Sequence, residues 1–143
     1  MTMNVLLVDD NPGDVLLTQE AVARSATDTE LAVAVDGTSA LAYLRGHGEH
    51  AGRTRPDLVL LDLNLPDIHG HDVLAAMKSD PILKATPVLV LSSSSLPADI
   101  REAYESHANT YITKPSALRD YDNVVSVIRS YWDGIAELPP GDA

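Results

Sequence analysis

The sequence predicts an α/β domain, a doubly wound five-stranded parallel sheet covered by five helices. Two observations carry that expectation. Short runs of Val, Leu and Ile recur along the chain without the alternating polar residues of a half-exposed strand, and between them lie stretches with apolar residues at helical spacing. Strands buried on both faces, each followed by a helix, call for a parallel sheet with helices on both sides. Right-handed crossovers then favour double winding.

The elements follow in order. Residues 4–8 (NVLLV) read as a buried strand. Asn11 and Pro12 open a helix reaching about residue 26, with proline suited to the first turn. Residues 31–35 give a second strand and 37–45 a helix with Ala40, Leu41 and Leu44 on one face. A loop rich in Gly and His, 46–56, precedes the third strand at 57–61 (DLVLL). Residues 69–79 are helical, 87–91 (PVLVL) form a fourth strand, and Pro97 starts a helix to about residue 107. Residues 110–112 give a short fifth strand, and 119–133 the last helix, stopped by Gly134. The domain is expected to span residues 1–135. Residues 136–143 are expected to form a flexible C-terminal tail, because ELPPGDA is too polar and proline-rich to pack. No attached output module is expected within these residues.

The chain has 143 residues, enough to bury a substantial core, and its 45% hydrophobic content argues against disorder. Aromatics are only 4% with no Phe, so aliphatic side chains must build that core. Ten basic residues against 21 acidic ones give a net charge of -11, which repels a polyphosphate backbone. Arg53 and Arg55 are the nearest approach to a basic cluster, so nucleic acid is not an expected partner. The absence of cysteine excludes disulfides and thiolate catalysis. The opening MTMNVLLVDD resembles neither a signal peptide nor a membrane span, so a cytoplasmic location is expected, with no membrane contact.

Polar residues interrupt the apolar pattern at particular places. Asp9 and Asp10 end the first strand, Asp62 the third and Ser92 the fourth, and Lys114 follows the fifth. Ligands of open α/β sheets bind outside the carboxyl ends of the strands, where the winding reverses. Taken singly, each residue has an ordinary reading: a strand-ending Asp as helix cap, a solvated Lys, a serine in the run 92–95. Their coincidence at one rim is what those readings leave unexplained. Clustered carboxylates repel, and a hard divalent ion with oxygen ligands relieves that; magnesium suits a shell completed by a phosphoryl oxygen. A metal and a lysine around a carboxylate are what phosphoryl transfer requires, with Asp62 as nucleophile.

These residues resemble the response-regulator receiver domain over roughly residues 4–133. The matching motifs are VDDN at 8–11, LLDLNLP at 60–66 with Gly70 after it, LSS at 91–93 and YITKP at 111–115. Ser92 and Lys114 stand 30 and 52 residues beyond Asp62, separations that match as well. The resemblance implies a flavodoxin-like sheet of order 2-1-3-4-5 and assigns roles. Asp62 would be the phosphoacceptor. Asp10, Asp62 and the backbone carbonyl of Asn64 would ligate Mg2+ directly, with Asp9 acting through water. Ser92 would hydrogen-bond the phosphoryl group, Lys114 would pair with it, and Tyr111 would be the aromatic switch. A cis Lys114–Pro115 bond is implied too. Departures are small: Ser92 replaces the commoner Thr, and His69 precedes Gly70 where an acid or amide is more usual. His47 and His50 lack a third ligand for a metal site.

A closer resemblance is to the small regulators of bacterial phytochromes, through DNPGDVLLTQEA at 10–21, the long loop before Pro56, LDLNLP, the serine run and SYW at 130–132. It implies a sensor histidine kinase as partner, a bacterial phytochrome, and a signalling protein rather than an enzyme, beyond its own phosphorylation and dephosphorylation. The last helix carries an apolar stripe of Tyr121, Val124, Val125, Ile128, Tyr131, Trp132 and Ile135. Its far end suits a homodimer contact through the last two helices and the fifth strand. Two other readings stay open here. One is a receiver that binds partners without phosphorylation; the other is a Mg2+-dependent phosphatase-like hydrolase, although such enzymes place a D-x-D motif after the first strand. A flavin carrier would need a phosphate-cradling loop, where this chain has DDNPGD.

Overall fold

The computed structural model describes residues 3–25, 28–46, 51–52, 55–115 and 118–132. Strands β1 (Met3–Val8), β2 (Thr29–Ala34), β3 (Leu58–Leu61), β4 (Val88–Ser92) and β5 (Thr110–Thr113) alternate with helices α1 (Pro12–Ser25), α2 (Gly37–Arg45), α3 (Gly70–Ser79), α4 (Pro97–Glu105) and α5 (Leu118–Trp132). All paired strands are parallel, in the order β2-β1-β3-β4-β5. The expected fold is therefore the observed one.

The continuous apolar runs serve both faces of the sheet. Leu6, Val8, Val59, Leu61, Val88 and Val90 point to one side, where Ala40 and Leu44 of α2 and Val73, Leu74 and Met77 of α3 cover them. Their alternates Val5, Leu7, Leu58, Leu60, Leu89 and Leu91 point to the other, against Val124 and Ile128 of α5. This two-sided division is why the runs 5–8, 58–61 and 88–91 are unbroken by polar residues. Ala21 of α1 packs with Tyr121 and Val125 of α5, joining the two helices on that face. Tyr121, Val124, Val125 and Ile128 of the α5 stripe are thus spent on the core. The side chains of Tyr131 and Trp132, together with Ile135 and the expected tail at 136–143, lie outside the described residues, as do His47, His50 and Arg53.

Several boundaries differ from expectation for identifiable reasons. β2 starts and ends earlier than 31–35, because its register runs from Met3↔Thr29 to Val8↔Ala34 and leaves Val35 56% exposed. His69 is not the first residue of α3 but its N-cap, its Nδ1 accepting from His71 N. α4 stops at Glu105 rather than 107: Ser106 N donates to Glu102 O, and His107 takes a left-handed φ of 73° that ends the helix. A 3-10 turn at Leu83–Ala85, absent from the sequence reading, is started by Asp80, whose carboxylate accepts from Ile82 N and Leu83 N.

Candidate functional site

The polar rim grows directly out of the strand ladder. Asp9 N donates to Ala34 O and Asp62 N to Val8 O, so both aspartates remain hydrogen-bonded to a neighbouring strand one residue past the end of their own. Both are buried, at 1% and 5% exposure, while Asp10 turns to solvent. Their carboxylates are held from behind. Asp9 Oδ1 accepts from Asn11 N at 3.0 Å, and Asp62 Oδ1 accepts from Asn64 N at 3.2 Å. Asn11 in turn caps α1, its side chain accepting from Asp14 N.

Lys114 crosses the rim to meet them. Its own N–H donates to Ser92 O at 2.7 Å, which fixes where the side chain starts. The ammonium then lies 3.0 Å from Asp9 Oδ2, 2.9 Å from Asp14 Oδ2 and 3.1 Å from Asp62 Oδ2. Three donors on one nitrogen meet three acceptors. Burial opposes the charge on Lys114, but hydrogen bonds to Asp14 and Asp9 and the charge of Asp62 outweigh it, and its pKa is held above the usual lysine value. Asp62 shifts the other way from an ion-paired surface carboxylate. Burial pushes its pKa up, and Lys114 and the Asn64 N–H only partly offset that.

Carboxylate oxygens of Asp9, Asp10 and Asp62 can lie within 4.8 Å of one another. An all-oxygen donor set with one solvent-facing member fits a hard divalent cation that keeps part of its water shell. The carboxylates of Asp9, Asp10, Asp14 and Asp62 outnumber the single ammonium, so the site retains negative charge for such an ion to neutralise.

The sequence-predicted residues thus divide into two groups. Asp9, Asp10, Asp62 and Lys114 come together, with Asn64 holding Asp62 through its N–H. Ser92 is fully buried on the adjacent strand, and its hydroxyl accepts from Ser94 N at 3.2 Å within its own loop. Tyr111 is half-buried and away from the carboxylates; its hydroxyl donates to Ser94 O at 2.8 Å, so both residues hold the loop that follows β4. The implied cis bond before Pro115 is corrected: no cis peptide occurs among the described residues, and Lys114 makes all its contacts from the trans form that X–Pro bonds ordinarily prefer.

Two residues of the site were missed. Asp14, in the first turn of α1, is the nearest of the three carboxylates to Lys114, and Tyr121 of α5 donates to Asp14 Oδ1 at 3.3 Å. Burial, then the charge of Asp14, pushes the Tyr121 hydroxyl up to about 12. The spacing of Asp14, four residues beyond Asp10, was the available signal. Gly70 is a third contributor, since its N–H donates to Leu63 O and its Cα lies against the backbone of the segment leaving Asp62.

Residues 5–126 match the family described as response regulator receiver domain. The chain belongs to that family. Response regulator Rcp1 of Synechocystis sp. is 43% identical to this receiver over 135 residues, 94% of this chain and 92% of its own length. The probable methanogenesis regulatory protein FilR2 of Methanothrix harundinacea is 42% identical over 135 residues, 94% of this chain and 86% of its own. Among solved structures, the phosphorylated cyanobacterial phytochrome response regulator RcpA superposes with a TM-score of 0.92 at 46% identity, covering 98% of this chain and 100% of its own. The Mn(2+)-bound form of Rcp1 gives 0.88 at 42% identity, covering 96% and 99%. The receiver is a two-component signalling module of the kind found in those small regulators. No helix of the described residues is long and apolar enough to cross a membrane.

Proposed function

We propose that this receiver accepts a phosphoryl group on Asp62 from a phosphohistidine of a sensor kinase and signals through the change that follows. The observation that carries this reading is the position of Asp62: buried at a strand end, 3.1 Å from the Lys114 ammonium and beside Asp9 and Asp10. An Asp62 carboxylate oxygen attacks phosphorus, the P–N bond breaks, and the kinase imidazole, protonated on its other nitrogen, leaves with the bonding pair as neutral imidazole. Lys114 partly offsets the cost of ionising the buried Asp62 and can follow the negative charge onto the phosphoryl oxygens. Asp10, Asp62 and the Asn64 carbonyl would hold Mg2+ directly and Asp9 through water, and the ion would supply charge neutralisation for phosphoryl transfer.

Ser92 and Tyr111 carry the response. The Ser92 hydroxyl, whose oxygen accepts from Ser94 N, is drawn in to donate its proton to a phosphoryl oxygen, and Tyr111, tied to Ser94 O, is released to repack. The kinase is a bacterial phytochrome and the location cytoplasmic; likeness to RcpA supports the first. The receiver pairs with a second copy through α4, β5 and α5, a reading supported by Leu96 and Tyr104 of that face being 63% and 47% exposed.

Intact mass after incubation with acetyl phosphate and Mg2+ tests the chemistry. One phosphoryl adduct that requires the metal and is missing in Asp62→Asn is the expected result. An adduct that persists in Asp62→Asn, or none in the wild type even with beryllofluoride failing to bind, would overturn it. Light scattering at high concentration, with and without beryllofluoride, tests the dimer; monomer in both removes it.

A further inference from the structure

We propose that His71, Asp99 and Glu102 form a second cation site, clamping α3 to α4 and selective for a late first-row divalent ion, with Zn2+ as its representative. His71 lies in the first turn of α3 and is only 8% exposed, yet neither of its ring nitrogens has a hydrogen-bond partner. Its Nε2 faces Glu102 Oε2 at 3.3 Å. Asp99 and Glu102, three residues apart, share a face of α4, and ligand atoms from all three residues fit within 4.8 Å of one another.

With the imidazole proton on Nδ1, the Nε2 lone pair faces the Glu102 carboxylate oxygen, and a cation between the two relieves their repulsion. The separation suits a metal. With bonds of about 2.0–2.1 Å, ligand atoms at the corners of a tetrahedron stand about 3.3 Å apart. The donor set differs in kind from the all-oxygen set around Asp62: imidazole nitrogen with two carboxylates prefers zinc and its neighbours to magnesium.

Surrounding contacts fix the ligands in place. The His69 ring stacks on His71 at 5.1 Å with an interplanar angle of 10°, holding the imidazole plane. Asp99 Oδ2 accepts a short hydrogen bond from Ser94 Oγ, which orients the carboxylate and leaves Oδ1 for the ion. Glu102, 58% exposed at its side chain, forms the solvent side of the site and provides the route of entry.

Calorimetric titration of the full chain with Zn2+, in excess Mg2+ to occupy the rim around Asp62, tests the site. The expected result is one Zn2+ per chain, bound equally by Asp10→Asn. Glu102→Gln, a surface change that leaves the fold intact, should weaken binding at least tenfold. His71→Gln should abolish it, and Zn2+ should shift the His71 Nε2 resonance in the wild type. Absence of Zn2+ binding in excess Mg2+ overturns the proposal, as does undiminished binding by Glu102→Gln or a Zn2+ shift confined to other histidines.

Discussion

Replacing Gly70 with alanine adds one methyl group at the place where α3 meets the segment leaving β3. A Cβ there would stand 2.4 Å from Leu63 Cα and 2.6 Å from Asp62 O, whereas ordinary contact begins at 3.4 Å. The obstructing atoms are backbone, so no side chain can swing aside, and the two segments must part by about 1 Å. Two effects compete. Alanine gains about 1 kcal/mol of helix propensity over glycine, while overpacking against rigid backbone costs about 1–3 kcal/mol, so the net change is a loss of up to about 2 kcal/mol. The functional cost should be larger, because the displaced atoms include the backbone of Asp62, the proposed acceptor. A shift of that size in a reacting group can slow transfer on the order of 100-fold. Urea melts read the first effect and the rate of acetyl phosphate labelling, followed by intact mass, the second. A Gly70→Ala protein as stable as the wild type and labelled at the same rate would refute the reasoning.

Other outcomes follow from the rim. Lys114→Met leaves Asp9, Asp14 and Asp62 without their shared cation, so metal-free stability should drop by up to about 3 kcal/mol and Mg2+ should raise Tm more than in the wild type; an equal rise in both proteins counts against the shared role. Tyr121, pushed up to about 12 from 10.0, holds its proton more tightly folded than unfolded. It therefore contributes stability that is complete below pH 10 and is lost as pH rises towards 12, on the order of 2–3 kcal/mol. Alkaline melts of Tyr121→Phe should lack this step, and an unchanged alkaline limb would contradict it. Asp67 accepts from Gly37 N, Thr38 N and Ile68 N, and these bonds, with one to the Thr38 side chain foremost, hold its pKa well below the usual carboxylate range. Its contribution is present above the ordinary carboxylate pKa and lost as pH falls through the depressed one. Acid melts of Asp67→Asn should show a flatter limb than wild type, and identical limbs would remove Asp67 from the account.

The sheet was legible because strands buried on both faces leave an unbroken apolar signature, and the rim because parallel strands gather their carboxyl ends. Asp9, Asp10 and Asp62 could be placed together on that ground alone, and Lys114 with them. Asp14 was harder to see: an acid in the first turn of a helix satisfies a local rule, and nothing local reports that Lys114, 100 residues away, reaches it. Val35 has the propensity of a strand residue, but the register with β1 ends before it. The turn at Leu83–Ala85 is too short for any periodicity to register. His71 carries no signal of its own in the sequence, and only the packing of α4 against α3 gives its ring a carboxylate to face.

β5 closes the sheet on one side, and an edge strand ordinarily offers its outward amides to any extended chain that approaches. Here the Tyr111 N–H is already taken, by the Tyr104 hydroxyl of α4 at 3.1 Å. A partner meeting this face would have to dislodge that tyrosine before it could add a strand. At that position the edge favours contact by side chains over strand addition, and a chain with phenylalanine at position 104 would lose this protection against open-ended stacking.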